Sequence, residues 1–123
     1  MRVQAEGPLL EEDANSTPAV RIFKQGMAVV YGYGVLNART DRNKKTQLEV
    51  QTRLFRDGQE VFASSPSPLN SDGQPNPQRL VAGGRLQLTQ LAPGDYALQV
   101  IVTDKLASEK NRVAAQSMDF EVR

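Results

Sequence analysis

Acid–base or metal chemistry in this sequence would rest mainly on carboxylates, because the chain has neither histidine nor cysteine. Histidine is the commonest general base and metal ligand, and the cysteine thiolate is both a nucleophile and a metal ligand. Their absence excludes serine–histidine triads, histidine- or thiolate-ligated metal sites and disulfide bonds. The remaining catalytic chemistry is that of two opposed carboxyl groups, as in a glycosidase.

Asp104 and Asp119 are the carboxylate pair that such chemistry would use. They fall on neighbouring predicted strands, so the two side chains could approach each other. A carboxylate pair can transfer protons or hold a metal. Lys105, Lys110 and Arg112 lie nearby in the sequence and are simpler ionic partners. We therefore expect a salt-linked or loop-capping role for the two aspartates rather than catalysis.

Asn70-Ser71-Asp72-Gly73 is similar to the centre of a helix-flanked calcium loop. Such a loop needs further acidic ligands before and after this centre, where the sequence has Pro68 and Arg79. Asn, Asp and Gly also favour surface turns, because of their local hydrogen bonds and their tolerance of left-handed backbone. We therefore predict a surface turn at Asn70 and Asp72, with no metal ion and no cofactor, and we keep these two residues as possible binding residues of the loop that carries them.

Four aromatic residues are candidates for a contact surface. Tyr31 and Tyr33 share one face of a predicted strand, where they form a carbohydrate-stacking platform if exposed and core if buried. They alternate with valines, and the chain has no tryptophan, so we expect core. Phe55 and Phe62 flank an Asp57-Gly58 turn. They either form an exposed apolar patch or pack on each other across the hairpin.

The elements that must position these residues are short β-strands. Hydrophobic residues alternate with period two, and no stretch keeps a helical period. The predicted strands cover residues 20–24, 28–38, 46–55, 60–63, 85–89, 96–103 and 113–122. About seven strands predict an all-β fold, an immunoglobulin-like (fibronectin III-like) Greek-key β-sandwich. We assign the sandwich to residues 19–123 and a flexible N-terminal lead to residues 1–18.

A sharper local signal precedes one of these strands. Leu91-Ala92-Pro93-Gly94-Asp95-Tyr96 places a tyrosine directly after a Pro-Gly corner. In Greek-key sandwiches this is the position of the tyrosine corner, whose phenol hydroxyl bonds to the backbone a few residues upstream. We therefore predict a structural role for Leu91, Pro93, Gly94 and Tyr96.

The segment 64–78 is rich in Ser, Pro, Asn and Gly and predicts a long irregular loop. Loops on rigid sandwiches often carry recognition, and a loop of this length in a compact domain is unusual. The other interpretation is a tolerated insertion without a function. The sequence leaves both interpretations open.

Four segments resemble a known family. They read YGYGVLNA (31–38), RDGQEV (56–61), LAPGDYALQVIVTDK (91–105) and AAQSMDFEV (114–122). Together they are similar to the C-terminal β-sandwich region of acidobacterial von Willebrand factor A-related (VWFA-related) proteins. The resemblance implies an exported, extracytoplasmic (periplasmic or secreted) bacterial protein with a metal-dependent adhesion-type domain upstream. That domain and its D-x-S-x-S metal motif are absent from this sequence, so only the accessory sandwich carries over.

Composition narrows the classes of function. The formal net charge is +1 and charges of both signs are mixed along the chain, which disfavours nucleic acid as a partner. No apolar run is long enough for a signal peptide or for membrane insertion. We therefore predict a non-catalytic accessory module of an exported multidomain protein, acting in protein–protein interaction or as a spacer. The alternative is a carbohydrate-binding β-sandwich module.

The predicted partner is another protein or a neighbouring domain of the same chain. A short edge strand is a template for strand addition, and we expect that edge at residues 20–24 or 60–63. Such an edge would also permit weak homo-oligomers. The acidic opening from Glu6 to Ser16 suggests a domain cut from a longer protein.

Overall fold

The computed structural model describes residues 1–10 and 22–123, and their alternating strands form two packed sheets. The strands are β1 (Arg2–Leu10), β2 (Ile22–Phe23), β3 (Ala28–Leu36), β4 (Leu48–Arg56), β5 (Gln59–Ala63), β6 (Ser67–Leu69), β7 (Arg79–Gln87), β8 (Gly94–Asp104) and β9 (Val113–Val122), with a 3-10 helix at Glu109–Asn111. One sheet has the order β1-β3-β7. The other has the order β2-β9-β8-β4-β5, with β6 also paired to β4. The predicted immunoglobulin-like β-sandwich is confirmed.

The strand with the clearest alternation, β8, lies in the middle of the larger sheet. Tyr96, Leu98, Val100 and Val102 are buried, while the residues between them are half-buried. Successive side chains of a strand point to opposite faces, so this pattern turns one face of β8 to the core. β8 pairs antiparallel with β4 on one side and with β9 on the other.

The hydrophobic core lies between the two sheets. Its members outside β8 include Phe23, Val29, Tyr33, Val35, Leu48, Leu54, Leu80, Leu88, Met118, Phe120 and Val122. Burying one such side chain stabilises the fold by about 1.5–3 kcal/mol relative to leaving it exposed. Neither sheet can bury its apolar face alone, so the two sheets depend on each other. Among the described residues, no helix has the length and apolar character needed to cross a membrane.

The N-terminal residues form a strand where the sequence predicts a flexible lead. β1 pairs antiparallel with β3, and Val3 is buried opposite Val35. The register shifts between Glu6 and Leu9, and Gly7 within this interval has φ 105°. This irregularity interrupts the alternation of apolar and polar residues by which a strand is predicted from sequence. The prediction of a flexible lead over residues 1–18 is therefore wrong for Arg2–Leu10, and residues 11–18 lie outside the described residues.

β7 begins six residues earlier than the strand predicted over residues 85–89. Gly83 and Gly84, which precede the predicted strand, lie inside the observed one. Glycines in a strand usually indicate an interruption. Here the ring of Tyr31 covers Gly84, where an added Cβ would lie 2.5 Å from the Tyr31 hydroxyl oxygen. A Cβ at Gly83 would lie 2.3 Å from the Tyr31 carbonyl oxygen. Close approach of the β3 backbone therefore requires glycine at position 83, and the Tyr31 ring packs over Gly84.

We expect Gly83→Ala to destabilise the protein by about 2 kcal/mol, because the new methyl group would push β7 away from the β3 backbone. Gly34→Ala is the matched control in β3, since an added Cβ there would meet its nearest atom, the Leu80 carbonyl oxygen, at an ordinary 3.7 Å. We expect it to stabilise the protein by about 0.5 kcal/mol. Urea unfolding midpoints of the two variants measure the difference, and equal midpoints would contradict this explanation of Gly83.

β6 lies inside the segment 64–78, which the sequence predicts to be irregular. It pairs with the start of β4, and Pro68 faces Glu49. Proline lacks an N–H donor, and it is accommodated here because β6 pairs only with β4 among the described residues. The prediction of a segment without strands is therefore wrong for Ser67–Leu69.

Candidate functional site

The tyrosine corner is present as predicted. The Tyr96 hydroxyl donates to the Ala92 carbonyl oxygen at 2.6 Å, four residues upstream. Its ring is 4% exposed and stacks on Phe120 with a centroid distance of 5.4 Å. Leu91 is half-buried and packs against the core, and its N–H donates to Leu88 at 3.0 Å. The corner thus holds the start of β8 in place.

The Pro93-Gly94 part of the corner contacts the β4–β5 hairpin. Arg56 donates from Nη2 to the Pro93 carbonyl oxygen at 2.7 Å, and an added Cβ at Gly94 would lie 2.8 Å from the Arg56 Nε. The hairpin turns through Asp57 and Gly58, whose φ angles of 49° and 85° fit the predicted tight turn. The corner and the hairpin therefore form one end of the larger sheet.

Asp104 caps loops at the opposite end of the sheet. Its side chain is fully buried, and its Oδ2 accepts from the Arg39 N–H at 2.9 Å while its Oδ1 accepts from the Leu106 N–H at 3.1 Å. Its own N–H donates to the Arg112 carbonyl oxygen at 2.6 Å. A buried carboxylate with two backbone donors stabilises the segments that carry them. The predicted loop-capping role of Asp104 is confirmed.

Asp119 does not approach Asp104, although β8 and β9 are neighbours as expected. The register places Asp119 opposite Ala97. Ala97 and Asp104 are seven residues apart on β8, or about 23 Å at 3.3 Å per residue. The two carboxylates therefore lie at opposite ends of the sheet and form no pair, and Asp119 is exposed.

Asn70 and Asp72 form the predicted surface turn. The Asn70 Oδ1 accepts from the Asp72 N–H at 2.8 Å, Gly73 has φ 83°, and Lys45 lies 3.9 Å from the Asp72 carboxylate. In the described part of the chain, no three carboxylates lie close enough together to hold a metal ion. Further along the segment 64–78, the Gln74 side-chain amide bonds both the N–H and the C=O of Val81, at 2.9 and 3.1 Å. This part of the loop covers the free edge of β7.

Tyr31 and Tyr33 point toward the core, so they form no exposed platform. Tyr33 is buried and Tyr31 is half-buried against the core. Burial, and secondarily the neighbouring Tyr31, raises the pKa of Tyr33 to about 12. Burial also raises the pKa of Tyr31. The expectation that both tyrosines belong to the core agrees with their positions in the structure.

Phe55 and Phe62 lie on opposite faces of the β4–β5 hairpin. Phe62 faces Leu54, whereas Phe55 faces Glu60, and the register shift between these two pairs leaves Val61 without a partner on β4. The phenylalanines therefore do not pack as a cross-strand pair. Phe62 is 57% exposed, and all five residues of β5 are exposed.

Phe55 lies instead in a cleft of about 610 Å³ on the outer face of the larger sheet. Phe55 and Ala97, register partners on β4 and β8, line its floor. Its rim carries four carboxylates, those of Asp57, Asp95, Asp119 and Glu121. Sequence reasoning missed this cleft, because the acidic residues come from β8, β9 and the β4–β5 turn, which only the strand pairing brings together. The sequence does contain one signal for it. Asp95, Asp119 and Glu121 alternate with buried residues on their strands, so their side chains point to the outer face of the sheet.

Comparisons with known proteins show similarity only to solved structures. Neither a protein-family model nor a curated protein matches this chain. The chain is similar to the crystal structure of the CARDB domain of the PF1109 protein from Pyrococcus furiosus, in complex with di-metal ions, with 17% identity and a TM-score of 0.49 over 98% of this chain and 90% of that chain. A solution NMR structure of the same domain gives 16% identity and a TM-score of 0.43, over 98% of this chain and 92% of that one.

Proposed function

We propose that this chain is a non-catalytic immunoglobulin-like accessory module that binds a protein partner by adding a strand of the partner to β5. The observation that carries the proposal is that β5 is an edge strand with exposed apolar side chains. β5 is the last strand of the larger sheet, and Val61 and Phe62 are 52% and 57% exposed. Of the two edges predicted from the sequence, residues 60–63 lie in β5, and the described part of 20–24 is β2 at the other end of the sheet.

The backbone of β5 supports strand addition. The Ser64 N–H donates to the Thr52 carbonyl oxygen of β4 at 2.9 Å. Backbone groups of successive strand residues point to opposite sides, so the N–H and C=O of Ala63 point away from β4. An incoming strand would pair with these groups and cover the exposed Val61 and Phe62 side chains.

The placement of Asp104 and Asp119, the carboxylate pair predicted from the sequence, supports a non-catalytic role for these two residues. Both carboxylate oxygens of the fully buried Asp104 accept hydrogen bonds from backbone N–H groups. Asp119 lies at the other end of the sheet. An opposed pair for glycoside hydrolysis needs carboxyl groups about 5–10 Å apart across a cleft. Asp104 and Asp119 do not meet this requirement.

We further propose that the module belongs to an exported multidomain protein, on the strength of the sequence resemblance to VWFA-related proteins. An immunoblot of the source organism, with an antibody raised against this domain, tests the proposal. A band far above 13.5 kDa in an extracytoplasmic fraction is the expected result. A band near 13.5 kDa, or one confined to the cytoplasm, would contradict it.

Site-specific photocrosslinking tests the β5 docking site. The photoreactive residue p-benzoylphenylalanine replaces Val61 in one variant of the protein expressed in its source organism. It replaces Val81 in the matched control, because Val81 is 68% exposed on an edge that Gln74 covers. We expect one discrete crosslinked product at position 61 and none at position 81.

Ala63→Pro makes this experiment specific for strand addition. The substitution removes the N–H that points away from β4 and leaves the β4–β5 hydrogen bonds in place. We therefore expect it to abolish the crosslink at position 61. Equal crosslinking at positions 61 and 81, or a crosslink that survives Ala63→Pro, would contradict the proposal.

A further inference from the structure

The cleft on the outer face of the larger sheet has an apolar floor where a solvent-facing sheet surface is ordinarily polar. Phe55 and Ala97 lie side by side on β4 and β8, and both are half-buried. The volume of about 610 Å³ falls within the range of ligand pockets, about 300–1,000 Å³. The cleft is therefore large enough for a side chain together with adjoining backbone.

The rim of the cleft carries an excess of negative charge. Asp57 lies 3.9 Å from the Arg56 Nε, and Glu121 is paired with Arg123. Asp95 and Asp119 have no ion pair with any described residue. Among the described residues, the four carboxylates thus face two guanidinium groups, which gives this rim an excess of two negative charges.

The register also sets like charges against each other. Asp95 faces Glu121 directly across β8 and β9, and like charges in this position are destabilising. The Asp57 carboxylate comes close to the same place, because its Oδ1 accepts from the Asp95 N–H at 3.4 Å. A cationic group bound beside Asp95 would relieve this repulsion.

We infer that this cleft binds a lysine or arginine side chain presented by a segment of a protein partner. Both features of the cleft are complementary to such a side chain, since long cationic side chains pack their methylene stem on apolar surface and keep the charged head among polar groups. Phe55 and Ala97 would contact the stem, and Asp95 and Asp119 would pair with the head. The inference does not depend on the β5 docking site.

Titration of the ¹⁵N-labelled chain with an acetylated and amidated tetralysine peptide, followed by NMR at low ionic strength, tests this inference. We expect saturable shift changes at the amides of Phe55, Ala97 and Asp119. The double variant Asp95→Asn/Asp119→Asn should bind about tenfold more weakly, since two exposed ion pairs are lost. Absence of saturable shifts, or shifts spread over the whole surface, would overturn the inference.

Two matched controls separate the cleft from general electrostatic attraction. Asp72→Asn/Glu109→Gln removes the same charge elsewhere on the surface and should leave the affinity unchanged. Phe55→Ala should weaken binding about fivefold through loss of apolar contact, whereas Phe62→Ala, in β5, should not. Equal weakening by the two charge variants, or by the two phenylalanine variants, would contradict the assignment.

A further titration with spermine distinguishes a protein segment from a free polyamine. Spermine and tetralysine carry similar charge, but spermine has no peptide backbone to fill the remaining volume of the cleft. We expect spermine to bind more weakly than the peptide. Spermine binding as tightly as the peptide would overturn the assignment to a protein partner.

Discussion

Asp104→Ala is expected to lower the free energy of unfolding by about 3 kcal/mol. The substitution removes the acceptors of the Arg39 and Leu106 N–H groups, which donate to the Asp104 carboxylate at 2.9 and 3.1 Å. The Asp104 side chain is fully buried. A hydrogen bond to a charged group contributes about 1.5–3 kcal/mol, and here two such bonds are lost. The loss should be large because both donors lose their partner at once and the removed carboxylate leaves a void.

Thermal unfolding followed by circular dichroism measures this effect. At about 4 °C per kcal/mol for a domain of this size, we expect a fall in Tm of about 12 °C. Asp104→Asn is the matched control, because its amide keeps one oxygen acceptor and should cost about half as much. A fall of less than about 4 °C for Asp104→Ala would show that the carboxylate does not hold the two loops.

Tyr96→Ala is expected to cost about 4 kcal/mol, and Tyr96→Phe about 1.5 kcal/mol. The alanine variant leaves a cavity beside Phe120, whose ring stacks on Tyr96. The phenylalanine variant keeps the ring and removes only the 2.6 Å hydrogen bond to the Ala92 carbonyl oxygen. The difference between the two variants therefore separates packing from the hydrogen bond of the corner.

Urea unfolding of these variants is compared with that of Tyr33→Phe. Tyr33 is also buried, but its hydroxyl has no hydrogen bond with any described residue. We expect Tyr33→Phe to change the free energy of unfolding by less than about 0.5 kcal/mol. Equal losses for Tyr96→Phe and Tyr33→Phe would mean that the corner hydrogen bond does not stabilise the fold.

The parts of the fold that the sequence predicts well are those determined by local chemistry. The alternation in β8 defines its buried face, because the side-chain period of a strand is two. Asp57-Gly58 and the Pro93-Gly94 corner were identified from residues with restricted or permissive backbone. The tyrosine corner combines both signals, so the sequence alone predicts the structural role of Tyr96.

The parts that the sequence does not predict depend on pairing between distant strands. Asp104 and Asp119 lie on neighbouring strands, yet the register separates them. The glycines at 83 and 84 favour a strand start at residue 85, but the β3 backbone at Tyr31 approaches so closely that glycine is necessary at position 83, inside β7. β1 is irregular in its own sequence and is stabilised by its pairing with β3.

Of the two candidate binding surfaces, the sequence predicts the β5 edge but not the cleft. Residues 60–63 were predicted as an edge because the strand is short, and β5 is an edge strand. The cleft could not be predicted, because Phe55, Ala97 and Asp119 form one row only when β4, β8 and β9 pair in the observed register. A difference of one residue in that register would move Phe55 or Asp119 out of the row.

Hydrogen–deuterium exchange at the Ala63 amide tests most directly whether β5 is the docking strand. The isolated chain is compared with the crosslinked complex purified from the source organism. Because this N–H points away from β4, we predict fast exchange in the isolated chain and strong protection in the complex. The amide of Ser64, which already bonds Thr52, should be protected in both. Exchange of Ala63 that is equally fast in the two samples would contradict strand addition at β5.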